Sequence, residues 1–335
     1  MLQAALARAF EPVEQAVSRG RIPGAVLGVV TASGNRVAAH AGQAQITPSP
    51  VPMRRQTIFD LASLTKVIFT TTTILRLIEQ GRMKLDQPLA ELIPDLRQYD
   101  LQAPERALTV RQCLSHQTFL PAVEPLYTYG QDAQTLRAFV LQRAWTHGPP
   151  VYSDINFILL GIAIERVTGQ PIKHLPLDPG FTFAPNPADC AATELCQWRG
   201  RLMRGEVHDE NAFALGGAAG HAGLFGPIDA VLDFAATLLN GTGLGTDSLA
   251  LLRARQSEQR SLGWETKYGG WSGGAACSET TIGHTGFTGT GLWIDFARGS
   301  AWSLLTNRVH PTRHFDSGID ELRRAVGERL VTELG

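Results

Sequence analysis

Residues 59–75 read FDLASLTKVIFTTTTIL, an apolar stretch that contains Ser63 and, three positions later, Lys66. The apolar run continues until Gly81, so the pattern predicts a buried helix over residues 59–80 with Ser63 in or near its first turn. Lysine is rare in this chain, because only four of its 30 Lys and Arg residues are Lys. A Lys in a buried helix therefore needs a specific explanation.

Ser63 and Lys66 form the only S-x-x-K sequence in the chain. Positions i and i+3 share one face of a helix, so the hydroxyl and the amine can meet. The free N–H groups at the start of a helix favour negative charge developing on Ser63. Burial lowers the pKa of a Lys, which can then accept a proton, whereas Arg stays protonated. The alternative is that Ser63 caps the helix and Lys66 extends its ammonium group into solvent.

Two further segments contain residues of catalytic type. Tyr152 and Asp154 lie in VYSDINF, directly before an apolar helical pattern, and His284, Thr285 and Gly286 lie in GHTGFTGT, at a predicted strand edge. Taken alone, the first segment is explained by helix capping and packing, and the second by a Gly-rich hairpin.

The order and spacing of the three segments resemble those of a known family. S-x-x-K at a helix start, followed by Y-x-[ND] and then by [KH]-T-G, is typical of the penicillin-recognising serine hydrolases. That family includes class C β-lactamases, D-alanyl-D-alanine peptidases and β-lactamase-like esterases. The stretches IPGAVLGVV, VHDENAFALGGAAGHAGLF and LLTNRVHPTR also resemble the family, so the resemblance extends over nearly the whole chain.

The resemblance implies a role for each central residue. Ser63 would be the acylated nucleophile, and Lys66 and Tyr152 would transfer its proton. Tyr152 would be the favoured base, because two nearby cations would stabilise its phenolate. The backbone N–H groups of Ser63 and Phe287 would form the oxyanion hole.

Two positions depart from the commonest form of these motifs. Asp154 stands where Asn is more usual, which removes an amide donor and would repel anionic substrates. His284 stands where Lys is more usual, and with Thr285 and Gly286 it would line the site beside a substrate carboxylate. A His holds a carboxylate weakly at neutral pH and more strongly when it is protonated in mild acid. These departures leave acyl transfer intact and argue against efficient penicillin hydrolysis.

The resemblance also implies an α+β fold of the β-lactamase and penicillin-binding-protein type. An antiparallel sheet flanked by helices would be built from residues 1–62 and 215–335. Residues 63–214 would form an inserted helical domain, with the site in the cleft between the two. Strand-like patterns near both ends of the chain and helical patterns in the middle agree with this organisation.

The implied reaction is acyl transfer to Ser63 and hydrolysis of a small ester or amide, with D-amino-acid peptides and β-lactams among the candidates. A carboxylesterase of the β-lactamase-like type is the nearest alternative. An alternative of another class is a catalytically weak module that binds muropeptides or penicillin. The complete set of Ser63, Lys66 and Tyr152 favours an enzyme, and no metal or organic cofactor is expected.

Bulk composition restricts the partners and the compartment. The formal net charge is −1, so no electrostatic signal indicates nucleic acid or an anionic membrane. No apolar run approaches the roughly 20 residues of a membrane helix. Residues 1–24 have the pattern of an amphipathic helix rather than a signal peptide, which predicts a cytoplasmic protein, with an exported mature form as the other option. The sequence carries no signal for an oligomeric state.

A second serine lies in a hydrolase-like sequence. Residues 270–274 read GWSGG and match the G-x-S-x-G pattern of α/β-hydrolases. That motif requires a buried strand before the serine and a helix after it. No helical pattern follows Ser272, so we expect it to play no catalytic part.

Overall fold

The computed structural model describes residues 1–335 and contains eleven β-strands and ten α-helices. The strands are β1 (Gly24–Thr31), β2 (Arg36–Gln45), β3 (Val51–Pro52), β4 (Phe59–Asp60), β5 (Ala192–Cys196), β6 (Arg201–Arg204), β7 (Phe225–Gly226), β8 (Glu265–Thr266), β9 (Thr281–Thr285), β10 (Gly291–Asp295) and β11 (Ser300–Thr306). The helices are α1 (Leu2–Ser18), α2 (Thr72–Glu79), α3 (Leu89–Leu92), α4 (Val110–Leu114), α5 (Ala133–Gln142), α6 (Asp154–Thr168), α7 (Glu210–Ala214), α8 (Ile228–Leu239), α9 (Thr246–Arg253) and α10 (Ile319–Leu334). A π-helical segment, Lys66–Thr71, leads directly into α2.

Seven strands form one antiparallel sheet in the order β3-β2-β1-β11-β10-β9-β8. Strands β1 and β11 come from opposite ends of the chain and pair in register, with Val29 opposite Trp302. Every residue of β11 is buried, as are all but the last of β1. Both strands are nearly continuous apolar runs, because helices cover both faces of the sheet.

Helices α1 and α10 pack together on one face of the sheet, and their apolar side chains form a core with Trp293 and Trp302. Helix α8 covers the other face. Gly28 in β1 permits this close approach, because a Cβ atom there would lie 2.7 Å from side-chain atoms of both Ile228 and Leu232. The sheet is therefore a rigid base for the strand edge that carries His284.

The structure differs from the predicted helix over residues 59–80. Phe59 and Asp60 form the short strand β4, which pairs with β7, and the helical conformation begins only after Ser63. An apolar run of this kind fits a buried strand as well as a helix, and pairing with a distant segment decides between them. Ser63 consequently lies in the turn between a strand and a helix.

The part of the chain expected to be mostly helical also contains a hairpin, in which β5 pairs with β6. The burial of β5 is interrupted at its exposed residue Leu195, as in a strand with one face partly open to solvent. The domain boundaries at residues 62/63 and 214/215 stay a prediction. No helix is both long and apolar enough to cross a membrane.

Candidate active site

The turn that carries Ser63 has an unusual backbone. Ala62, directly before Ser63, has a φ of +48°, in the left-handed region that residues with a side chain rarely adopt. Its N–H donates to Oδ1 of Asp60 at 2.9 Å, which holds the turn in place. Strained conformations of this kind persist where the surrounding structure enforces them, and they are concentrated at functional sites.

Lys66 is fully buried one helical turn after Ser63, so the alternative in which it extends into solvent is wrong. Its Nζ donates to Oγ of Ser63 at 2.9 Å and to the carbonyl oxygen of His221 at 3.1 Å. The same Nζ lies 2.8 Å from Oδ1 of Asp154. The ammonium group therefore joins the nucleophile candidate to a carboxylate.

The protonation of Lys66 differs from the expectation that burial would lower its pKa. Burial does disfavour the ammonium, but the nearby Asp154 carboxylate and Tyr152 side chain outweigh it, so the pKa of Lys66 is raised. Asp154 lines the cleft, where we expected it to repel anionic substrates, and it is also the counter-ion of Lys66. A buried Lys in contact with a carboxylate stays charged.

Tyr152 is also more firmly protonated than the expected phenolate. Burial raises its pKa, Lys66 opposes that rise and Asp154 adds to it, so the net pKa of Tyr152 lies above its ordinary value. The expectation failed because burial outweighs the cationic field of Lys66, and Asp154 adds to the rise. The resting site therefore contains an ammonium, a carboxylate and a neutral phenol.

Two residues that no motif indicated hold the ring of Tyr152. The His116 ring lies with its centroid 4.6 Å from that of Tyr152, and its Nδ1 accepts the N–H of Ser153 at 3.0 Å. The guanidinium carbon of Arg260 lies 5.0 Å from the centroid of the Tyr152 ring, a cation–π distance. His116 and Arg260 come from segments remote from VYSDINF, so spacing in the sequence carried no signal for them.

The end of β9 closes against the turn that carries Ser63. The Thr290 hydroxyl donates to the carbonyl oxygen of Leu61 at 3.0 Å. Gly286 is required at this point, because a Cβ atom there would lie 2.1 Å from Oγ1 of Thr290 and 2.7 Å from that carbonyl oxygen. The H-T-G sequence thus brings a strand edge against the nucleophile turn.

The predicted oxyanion hole has two free donors. The backbone N–H groups of Ser63 and Phe287 donate to no other backbone group, and neither lies in a helix or strand. Both residues line the same cleft. Free, fixed N–H groups beside a serine hydroxyl are what stabilisation of a tetrahedral oxyanion requires.

His284 is buried in the wall of this cleft and is neutral. Its Nδ1 lies 2.9 Å from the carbonyl oxygen of Thr285, so this nitrogen carries the proton. Burial, with the positive charges of Arg260 and Lys66, lowers the pKa of His284 well below 6.5. The expectation that His284 becomes a cation in mild acid is therefore wrong, because no carboxylate compensates for its desolvation.

The cleft has a volume of about 540 Å³ and brings together most of the predicted site residues. Of these, the structure places in its wall Ser63, Tyr152, Asp154, His284, Thr285 and Phe287. Charged residues that sequence reasoning did not assign to the site also line it, namely Asp209, Glu210, Arg260, Glu265 and Arg313. Carboxylates outnumber guanidinium groups on this surface.

Ser272, the serine of the G-x-S-x-G sequence, does not line the cleft. Ser272 is in the loop between β8 and β9, where its Oγ accepts the indole N–H of Trp293 at 3.2 Å. No group of three or more His, Cys, Asp or Glu side chains is arranged to hold a metal ion.

Comparison with known proteins identifies the family of this chain. The Beta-lactamase family model matches residues 9–326. N-acetylmuramyl-L-alanine amidase of Bacillus subtilis (strain 168) is 30% identical over 365 aligned residues, which cover 91% of this chain and 81% of that protein. A putative D-alanyl-D-alanine carboxypeptidase of Escherichia coli (strain K12) is 30% identical over 316 aligned residues, covering 78% and 71%.

Among solved structures, simvastatin synthase from Aspergillus terreus has a TM-score of 0.74 with this chain at 20% identity and covers 98% of both chains. This likeness concerns the fold, and it confirms the predicted α+β architecture. Because the family model spans nearly the whole chain and the relatives match over most of their length, this protein belongs to the β-lactamase family of hydrolases.

Proposed function

We propose that this protein is a serine hydrolase that cleaves a small ester or amide through an acyl-enzyme on Ser63. The observation that carries the proposal is the contact of 2.9 Å between Nζ of a fully buried Lys66 and Oγ of Ser63. The free N–H groups of Ser63 and Phe287 add the second requirement of acyl transfer, a place for the oxyanion.

The reaction follows from these positions. The substrate carbonyl oxygen accepts hydrogen bonds from the two N–H groups while Oγ of Ser63 attacks the carbonyl carbon. The Oγ proton passes to the pair formed by Lys66 and Tyr152, and the same pair returns a proton to the leaving group. Water then attacks the acyl carbon, which releases the acid and restores Ser63.

The raised pKa values of Lys66 and Tyr152 leave the resting enzyme without a group that can accept the proton of Ser63. Lys66 is an ammonium and Tyr152 a phenol, so neither accepts a proton in its resting form. Deprotonation of the pair must precede attack, and its population rises with pH. We therefore propose that acylation becomes faster from neutral toward alkaline pH.

The names of the relatives support amides of peptides as the first substrate class, since one is an amidase and the other a putative carboxypeptidase. One observation favours a carboxylesterase as the second candidate. The buried neutral His284 offers no positive charge to a substrate carboxylate at the position where the family more often has Lys. A weak binding module is disfavoured, because Ser63, Lys66 and Asp154 are already in contact.

A fluorophosphonate that reacts with activated serines tests the proposal directly. We expect one label per chain, located at Ser63 by peptide mass spectrometry, absent in Ser63→Ala and retained in Ser272→Ala. A label at Ser272, or no label on the folded parent, would overturn the proposal. Parallel assays with p-nitrophenyl esters, nitrocefin and D-alanyl-D-alanine peptides then separate esterase, β-lactamase and peptidase activity.

A further inference from the structure

A second cavity adjoins the catalytic cleft on the far side of Phe287. It has a volume of about 960 Å³ and lies between the end of β9, the end of α1 and the start of α10. Thr285 and Phe287 line both spaces. Phe287 is 49% exposed and forms part of the border between the two spaces.

The charge of the surface reverses across Phe287. The walls of the catalytic cleft hold the carboxylates of Asp154, Asp209, Glu210 and Glu265 and the guanidinium groups of Arg260 and Arg313. The walls of the second cavity hold Arg19, Arg21, Arg308 and Arg323 with Asp316, Asp320 and Glu321. Arginines are thus in excess in the second cavity, and carboxylates are in excess in the cleft.

Arg308 contacts Phe287, whose N–H belongs to the predicted oxyanion hole, and has no carboxylate partner in the protein. Its Nε donates to the carbonyl oxygen of Phe287 at 2.9 Å, and its guanidinium carbon lies 4.7 Å from the Phe287 ring centroid. The two terminal nitrogens donate to no protein group. Burial lowers the pKa of Arg308, Asp320 opposes that effect and Arg313 adds to it.

Two arginines near Phe287, Arg313 and Arg323, are already engaged, and Arg313 pairs with Glu194 and Glu210. Arg323 donates to the carbonyl oxygens of Gly286 and Thr290 at 2.9 and 2.8 Å and pairs with Asp320. A planar guanidinium with two free terminal nitrogens matches the two oxygens of a carboxylate. Arg308 alone combines these free donors with contact to Phe287.

We infer that Arg308 binds a carboxylate on the part of the substrate that extends past Phe287 into the second cavity. This inference rests on the proposed hydrolase function of Ser63. The motif indicated that His284 would bind the substrate's acidic group. The inference assigns that role to Arg308, on the opposite side of Phe287. Substrates with a neutral group in the cleft and a carboxylate several atoms from the scissile carbonyl fit both spaces.

Two matched substrate pairs test the inference, since the carboxylate can be on either side of the scissile bond. One pair is hippuryl thioglycolate and its carboxamide, which differ in the leaving group. The other is the p-nitrophenyl monoester of glutaric acid and its methyl ester, which differ in the acyl group. The readout is the ratio of kcat/KM for the anionic and the neutral member of each pair.

We expect the Arg308→Gln variant to lower this ratio roughly tenfold for the pair whose carboxylate reaches the cavity. Arg308→Lys should retain only part of the ratio, because it keeps the charge but loses the planar fork. Arg201→Gln removes an exposed arginine that pairs with Glu206 outside the site and should leave both ratios unchanged. Ratios unaffected by Arg308→Gln in both pairs would overturn the inference.

Two further readouts keep the test decisive. If Arg308→Gln does not fold, the parent ratio is measured at low and high salt, where screening should reduce a preference that depends on charge, and a constant ratio would overturn the inference. Turnover of the neutral members, with labelling of Ser63, reports on the proposed function separately. A parent that neither turns over these substrates nor labels at Ser63 would overturn both.

Discussion

The two walls of the catalytic cleft shift the pKa of a buried basic group in opposite directions. The helical wall consists of Ser63, Lys66, Tyr152 and Asp154, and the sheet wall consists of residues 284–287. Lys66 and His284 are both almost completely buried, yet the pKa of Lys66 is raised and that of His284 is lowered. Burial disfavours the charged form of each, so the neighbours decide the outcome.

The difference lies in the counter-ion. Lys66 has the Asp154 carboxylate at 2.8 Å, whereas His284 faces the positive charges of Arg260 and Lys66 and its own neighbour's carbonyl. In the proposed mechanism the helical wall therefore carries the charge that transfers a proton. The sheet wall would contribute neutral donors, above all the N–H of Phe287, to stabilise charge formed during the reaction.

Removing the nucleophile from the helical wall should have the largest effect. We expect Ser63→Ala to lower kcat by about 10⁶, the scale seen when a serine nucleophile is lost. Ser272→Ala is the matched control and should leave kcat within about twofold of the parent, in the usual range of a substitution outside the site. Substantial turnover by Ser63→Ala would show that the helical wall is not the catalytic one.

Lys66→Arg tests whether the helical wall needs a transferable proton or only a positive charge. Arg keeps the charge but does not give up its proton, and its planar fork does not fit the contacts with Ser63 and Asp154. We expect acylation to fall by roughly 10³, nearly as far as in Lys66→Ala. Single-turnover acylation is the measurement, and an Arg variant within a few-fold of the parent would contradict the role in proton transfer.

Asp154→Asn should make the helical wall more similar to the sheet wall, because the buried Lys66 then also lacks a carboxylate partner. The Asp154 carboxylate raises the pKa of both Lys66 and Tyr152. Without it both values fall, so the deprotonated pair is populated at lower pH. We expect the rising limb of kcat/KM against pH to move to lower pH, and acylation at a fixed pH on that limb to increase several-fold.

The control for this shift is Asp86→Asn, which removes an exposed carboxylate that pairs with Arg111 far from the cleft. Its pH profile should coincide with that of the parent. A limb that stays in place or moves to higher pH in Asp154→Asn would show that Asp154 does not determine the protonation of the pair.

The smallest expected effect concerns the sheet wall. Because His284 stays neutral well below its ordinary pKa, the parent preference for anionic over neutral substrates should not change between about pH 8 and 6. His284→Lys should increase that preference several-fold, corresponding to about 1 kcal/mol. The pH dependence of the kcat/KM ratio for a matched ester pair is the measurement. A parent ratio that rises toward pH 6 would contradict the neutral state of His284.

Much of the site was predictable because its residues occur in short motifs. The spacing of Ser63 and Lys66 reflects one helical turn, and Gly286 marks a close approach that only glycine permits. Their charge states were not predictable. The pKa values of Lys66 and His284 depend on Asp154 and Arg260, which come from distant segments. The motif that contains Asp154 did not indicate that it pairs with Lys66, and no motif contains Arg260.

Contacts between distant segments also limited how much of the fold could be predicted. The apolar pattern of residues 59–80 predicted one helix, but the backbone pairing of β4 with β7, more than 150 residues away, makes its first two residues a strand. Arg308 lies in a stretch that resembled the family, yet only the structure shows that its terminal nitrogens are free beside Phe287. Local patterns predict which residues face inward, whereas contacts between remote segments determine their role.

The pairing of β1 with β11 also governs when the molecule can assemble during synthesis. Thr31 and Ser300 are opposite each other in the sheet but 269 positions apart in the chain. At roughly 5 to 20 residues per second, the ribosome needs about 13 to 54 s to make the partner of β1. During that time the apolar strand GAVLGVVT has β2 on one edge and nothing on the other. Nascent chains should therefore depend on chaperones until their last strands emerge from the ribosome. Faster elongation should improve the yield of folded protein.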